Sequence, residues 1–90
     1  MRDPAFTGQF RRDYKRARKR GSDVDHLNRV IHLLIAGQTL PARCSCHPLR
    51  GGYVGHWECH LEPDLLLIWY LSGDDDIVFV RAGSHADLFG

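Results

Sequence analysis

YVGHWECHLEPDLLLIWYLSGDDDIVFVRA, residues 53–82, settles the architecture of this 90-residue chain. Trp57, Cys59 and Leu61 alternate with Glu58 and His60, the two-residue period of a strand with one buried face, so a strand is expected over residues 53–61. Residues 65–71 are apolar on both faces and rich in aromatic and β-forming types, the pattern of a central strand. The run Ser-Gly-Asp-Asp-Asp at 72–76 reads as a turn, and residues 77–82 as the last strand.

Upstream lie two helices. Thr7 is a candidate N-cap. Phe10, Tyr14 and Ala17 then recur at spacings of four and three, with Phe6 ahead as a staple. The other face carries Arg11, Arg12, Lys15, Arg16, Arg18, Lys19 and Arg20, and Gly21 ends the helix. Ser22 or Asp23 caps the second helix, where Leu27, Val30, Ile31, Leu34 and Ile35 form one buried stripe before Gly37. The short break predicts an antiparallel helical hairpin. Pro4 confines any strand near the start to a sheet edge. Residues 38–52, with two prolines and two glycines, read as a long functional connection. Residues 84–89 predict one helical turn capped by Ser84. The expected fold is therefore α+β, one domain over residues 1–90. A helical hairpin covers one face of a small, mostly antiparallel four-stranded sheet in the order (β)ααβββ, with a short C-terminal turn and the opposite face free.

Composition narrows the function. Residues 1–50 carry eleven Lys/Arg against four Asp, a net +7; residues 51–90 carry Arg81 against seven acids, a net −6. That split points to a polyanion or an acidic protein as partner, against the blander reading of a solvated basic helix. No apolar run reaches membrane-spanning length, the first residues do not form a signal peptide, and three cysteines cannot close a disulfide framework. A cytoplasmic protein without a membrane partner is expected.

The stretch from His47 to Asp64 concentrates chemistry: three of the six histidines, two glutamates, an aspartate, Arg50 and Cys59. The Glu62-Pro63-Asp64 turn is expected to bring His60 and Asp64 together, a pairing that fixes a tautomer and suits acid–base work. His47 stands before Pro48 on extended backbone. Arg50 in Leu-Arg-Gly-Gly and Arg81 on the last strand are candidate phosphate ligands. His85 and Phe89 share a helical face, and Phe89 is a candidate base-stacking ring. Together these groups suit RNA cleavage without metal or cofactor: a base takes the 2′-hydroxyl proton, an acid protonates the leaving 5′-oxygen, and arginines offset the phosphorane charge. Each taken alone is as compatible with an ordinary surface or core role. Cys44, Cys46 and Cys59 beside His47 and His60 offer a rival zinc reading, although no pair has the usual zinc-ligand spacing.

The chain resembles the YafQ branch of the RelE/ParE superfamily, the toxins of bacterial type II toxin–antitoxin pairs. The likeness spans nearly the full length. It rests on the basic first helix ending Lys-Arg-Gly, Leu-Pro near 40, His-Pro-Leu-Arg-Gly at 47–51, His-x-Glu-Pro-Asp at 60–64, and the closing Arg-x-Gly-x-His-x-x-Leu-Phe-Gly at 81–90. It implies a RelE-like fold and a ribosome-dependent mRNA endoribonuclease that stalls translation and is neutralised by an antitoxin. It also implies functional roles for His47, His60, His85, Asp64, Arg81 and Phe89. Glu58 stands where the family pattern has an aspartate, retaining the carboxylate on a longer arm. His60 and His85 are expected as the acid–base pair with His47 assisting, and Lys15 and Lys19 of the basic helix as contacts to ribosomal RNA phosphates. The alternatives are a non-catalytic binder, as ParE-like or degenerate toxins are, and a small zinc protein.

Overall fold

The computed structural model describes residues 1–62 and 64–90, so Pro63 of the expected Glu62-Pro63-Asp64 turn lies outside the described residues. The elements are β1 (Asp3–Phe6), α1 (Gly8–Lys19), α2 (Val24–Ile35), β2 (His47–Pro48), β3 (Trp57–Glu62), β4 (Leu65–Ser72), β5 (Asp76–Gly83) and α3 (His85–Phe89). The sheet order is β1-β5-β4-β3-β2; β1 runs parallel to β5 and the other pairs are antiparallel.

Local chemistry sets the helix ends. Thr7 Oγ1 accepts from the Phe10 amide at 2.9 Å and donates to the Val80 carbonyl at 2.8 Å, so one hydroxyl caps α1 and ties it to β5. Asp23 accepts from the His26 amide and caps α2. Gly21 takes φ +77° and turns the chain between the helices, a conformation that costs a residue with a Cβ. The apolar stripes of both helices then settle on one sheet face, where Phe10, Leu27, Val30 and Leu34 meet Leu67, Trp69, Ile77 and Phe79. Phe79 is fully buried and stacks on Phe6 at 5.2 Å. Burial of one such ring contributes about 1.5–3 kcal/mol.

Four differences from the sequence reading have physical reasons. The sheet has five strands rather than four, because His47 and Pro48 pair with Glu58 and Trp57 as an edge too short to show a period. An edge is where a proline without a donor fits. The strand expected over residues 53–61 begins only at Trp57, since Gly51–Tyr53 forms a 3-10 turn and Gly55 takes φ +88°. Trp57, expected in the core, is 40% exposed, whereas its cross-strand partner Trp69 is buried. The second face of the sheet is not free. Leu66 and Ile68, on the far side of β4, are fully buried under Leu88, Leu49 and Tyr53. A strand that is apolar on both sides cannot leave one of them in water, so α3 and the 49–53 connection lie over it.

Candidate active site

β2 and β3 build the site. His47 lies directly across from Glu58 in the antiparallel register, and His60 follows two residues later on the same face. Glu58 Oε1 sits 3.1 Å from His47 Nε2 and 3.2 Å from His60 Nε2. One carboxylate oxygen thus lies within 3.2 Å of both imidazoles, forming an ion pair only where a ring is protonated. Glu58 is 3% exposed, and its second oxygen, Oε2, is buried with no hydrogen-bond partner. A charged acceptor left unpaired in the protein is costly and marks a site organised for something besides stability.

From this carboxylate the rings run on. His47 and His60 centroids are 5.7 Å apart, His60 and His85 5.9 Å, His85 and Phe89 6.2 Å, and Phe89 and Tyr53 6.0 Å. The three histidines, from β2, β3 and α3, form one consecutive row. His56 packs edge-on against Tyr53 and Tyr70.

Asp64 is placed differently from the sequence reading. Its Oδ1 accepts from the His85 amide at 3.2 Å and lies 3.9 Å from His85 Nδ1, while His60 turns to Glu58. A register shift between His60 and Glu62 inserts one residue and breaks the alternation that would have aligned Asp64 with His60. Asp64 thus lies beside the histidine of α3 instead of the histidine of β3.

Arg81 is held by Asp13, a buried residue of α1 that the sequence reading did not single out. Arg81 donates through Nε at 2.8 Å and Nη2 at 3.3 Å, and the Ala82 amide donates to the same carboxylate at 3.0 Å. Burial alone would raise the Asp13 pKa, but hydrogen bonds from Arg81, the Ala82 amide and Gln9 bring it below the usual carboxylate value. The hydrogen bond to Asp13 raises Arg81 in turn, and Tyr53 adds to that shift. Asp13 was legible in principle, since it lies three after Phe10 and four before Ala17, within the buried stripe. Tyr53, edge-on to Phe89, had no comparable signal.

α3 is fixed by a capping box. Ser84 Oγ accepts from the Asp87 amide at 3.1 Å, and Asp87 Oδ2 accepts from the Ser84 amide at 3.0 Å. Arg20 donates to the same Oδ2 at 2.7 Å. The Ser84 amide, opposed by burial and joined by Arg20, holds the Asp87 pKa down to about 2. Arg50, Lys15 and Lys19 are exposed; Lys15 and Lys19 lie with Arg18 on the outer side of α1, and Arg50 precedes the 3-10 turn that carries Tyr53.

Two groups of side chains among the described residues bring three metal-donor atoms within 4.8 Å of one another: His47, Glu58 and His60, and Asp23, His26 and Glu62. Neither contains a thiol: among the described residues, Cys44, Cys46 and Cys59 do not bring three donor atoms within that distance of one another. The first group includes Glu58, and its imidazole and carboxylate donors suit a borderline divalent cation.

The comparisons agree with this geometry. The model of the family described as "Bacterial toxin of type II toxin-antitoxin system, YafQ" matches residues 2–90. The chain is 42% identical over 91 residues to the Escherichia coli strain K12 protein named "mRNA interferase toxin YafQ", covering 100% of this chain and 98% of that one. The Escherichia coli DinJ–YafQ toxin–antitoxin complex contains a chain 42% identical, superposing with a TM-score of 0.90 over 99% of this chain and 98% of that chain. A metal-bound toxin from Helicobacter pylori is 37% identical, with a TM-score of 0.90 over 99% of this chain and 100% of the other. The fold is RelE-like, and this chain belongs to the YafQ family of bacterial toxins of type II toxin–antitoxin systems.

Proposed function

We propose that this toxin is an endoribonuclease that cuts mRNA on the ribosome, and so inhibits translation, by attack of a 2′-hydroxyl on the adjacent phosphate. The row His47–His60–His85, anchored on the buried Glu58 carboxylate, carries the proposal. The scissile phosphodiester binds at the His60–His85 pair, its attacking and leaving oxygens each presented to one imidazole. One histidine of that pair takes the 2′-hydroxyl proton as the O2′–P bond forms. The other gives a proton to O5′ as the P–O5′ bond breaks, leaving a 2′,3′-cyclic phosphate and a 5′-hydroxyl. Glu58 orients His60 and His47, and Asp64 orients His85. Arg81, set in place by Asp13, and the exposed Arg50 offset the charge on the phosphorane. Phe89, braced by Tyr53, stacks on a base, an interaction worth about 1–3 kcal/mol.

The exposed lysines of α1, Lys15 and Lys19, contact ribosomal RNA phosphates, so binding weakens with salt. The protein acts in the cytoplasm, where its substrate is; among the described residues no helix is long and apolar enough to cross a membrane. Its partner is an antitoxin, as DinJ is for the Escherichia coli relative. A divalent cation held by His47, Glu58 and His60 would supply Lewis acidity there and would occupy the donors that the acid–base chemistry uses. Added copper is therefore expected to lower cleavage, and chelator to restore it.

The decisive experiment is cleavage of message in a reconstituted translation extract. Wild type is expected to cut on ribosomes, and His85→Ala and His60→Ala to lose about 10²–10⁴-fold in rate while remaining folded by circular dichroism. Wild type and His85→Ala inhibiting translation equally without cut message would establish the non-catalytic binder instead.

A further inference from the structure

The two strands that present the histidines also carry a pair of thiols on their other side. β2 and β3 pair His47 with Glu58 and Pro48 with Trp57. Cys46 immediately precedes β2, and extending that register by one residue sets it opposite Cys59. By alternation the side chains at 46 and 59 point away from the face that holds His47 and Glu58. The two thiols lie close enough to perturb each other's ionisation, and burial pushes both upward. Cys46 is exposed, whereas Cys59 is fully buried, and neither is in a disulfide. Directly opposed residues of an antiparallel pair have Cα atoms about 4.5–5.5 Å apart, inside the disulfide range of about 4.4–6.8 Å. Cys44, buried in the 3-10 turn at Ala42–Cys44, has no such opposed position.

We propose that Cys46 and Cys59 form a reversible disulfide switch, closed by a low-molecular-weight disulfide, that disarms the active face on the opposite side of the same two strands. The exposed Cys46 sulfur, its proton released to solvent, attacks one sulfur of the oxidant; a protein–oxidant disulfide forms and one small thiol leaves. The Cys59 sulfur, losing its proton, then attacks Cys46 and displaces the second small thiol. Two protein thiols give up two electrons and two protons, and one small disulfide becomes two thiols. The disulfide draws the two Cβ atoms to about 3.8 Å, from the roughly 4.5–5.5 Å usual for opposed residues. Pinching one side of a two-strand ribbon spreads the other. His47 and Glu58 are the adjacent opposed pair on that other side, and their 3.1 Å contact opens.

The effect on cleavage rests on the ribonuclease reading, whereas the disulfide itself does not. The test treats the full-length toxin with oxidised glutathione and maps non-reduced peptides by mass. It also follows message cleavage on ribosomes and the His47 and His60 imidazole resonances. A Cys46–Cys59 link is expected, with both resonances shifted and cleavage lowered at least about tenfold, all reversed by dithiothreitol. Cys46→Ser should cut as the reduced wild type does and ignore the oxidant. No link, a link through Cys44, or linked protein with unmoved histidine resonances would overturn the proposal. Reduced protein that cuts nothing would instead defeat the ribonuclease reading, while the peptide map and the resonances still decide the switch.

Discussion

Glu58 places one oxygen beside two imidazoles and leaves the other buried without a partner. Burying a carboxylate there carries a desolvation cost that its surroundings do not fully offset. Glu58→Gln tests the trade. The amide keeps the shape and one acceptor but removes the carboxylate from beside the two imidazoles. Unfolding temperature is expected to stay level or rise, while cleavage on ribosomes falls about 10²-fold; a variant that cuts at the wild-type rate would remove Glu58 from the mechanism. At this scale the sequence disclosed residue types better than partners. His47, His60 and His85 were identifiable because a core has no use for so many imidazoles. The partners were not, since Asp64 is diverted by a one-residue register shift and Arg81 is claimed by a carboxylate 68 positions away. Pairings of that kind are set by packing and leave no local pattern.

α3 has five residues, too few to be helical by itself, and its place depends on what surrounds its first turn. Gly83 opens that turn at φ +154°, and a Cβ there would stand 2.9 Å from Asp87 Oδ2 and 3.1 Å from Asp87 Cβ. Arg16 and Arg20 of α1 converge on the same carboxylate. Gly83→Ala must therefore push Asp87 out of the capping box and carry His85 and Phe89 with it. A loss of about 1–3 kcal/mol in urea unfolding is expected, together with a fall in cleavage larger than Ser84→Ala causes. Equal effects from the two variants would show that the cap alone positions α3. The two long helices, the central strand and the Ser84 turn followed from periodicity and capping types. β2 did not, because two residues have no period and Pro48 argues against a strand unless it lies at an edge.

Over the whole molecule, the basic helical half and the acidic sheet half meet through two ionised carboxylates, Asp13 and Asp87, each bound by arginines. Both have pKa values depressed below the ordinary carboxylate, Asp87 to about 2. A depressed group stabilises the fold fully above its unfolded value, near 4, and that contribution disappears as pH falls through the folded value. The urea midpoint should therefore fall between about pH 4 and pH 2, and Asp87→Asn should flatten that part of the curve. An unchanged slope in the variant would assign the acid sensitivity elsewhere.

β1 is parallel to β5, so among the described residues the first strand synthesised pairs in the sheet only with the last. Until residues 76–89 have emerged, Phe6 lacks Phe79, Asp13 lacks Arg81, and the imidazole at 85 does not yet exist. A long closure of this kind makes maturation a late event. A chain in which β5 and α3 have not yet docked therefore lacks the full row of imidazoles, and under the ribonuclease reading it cannot cut.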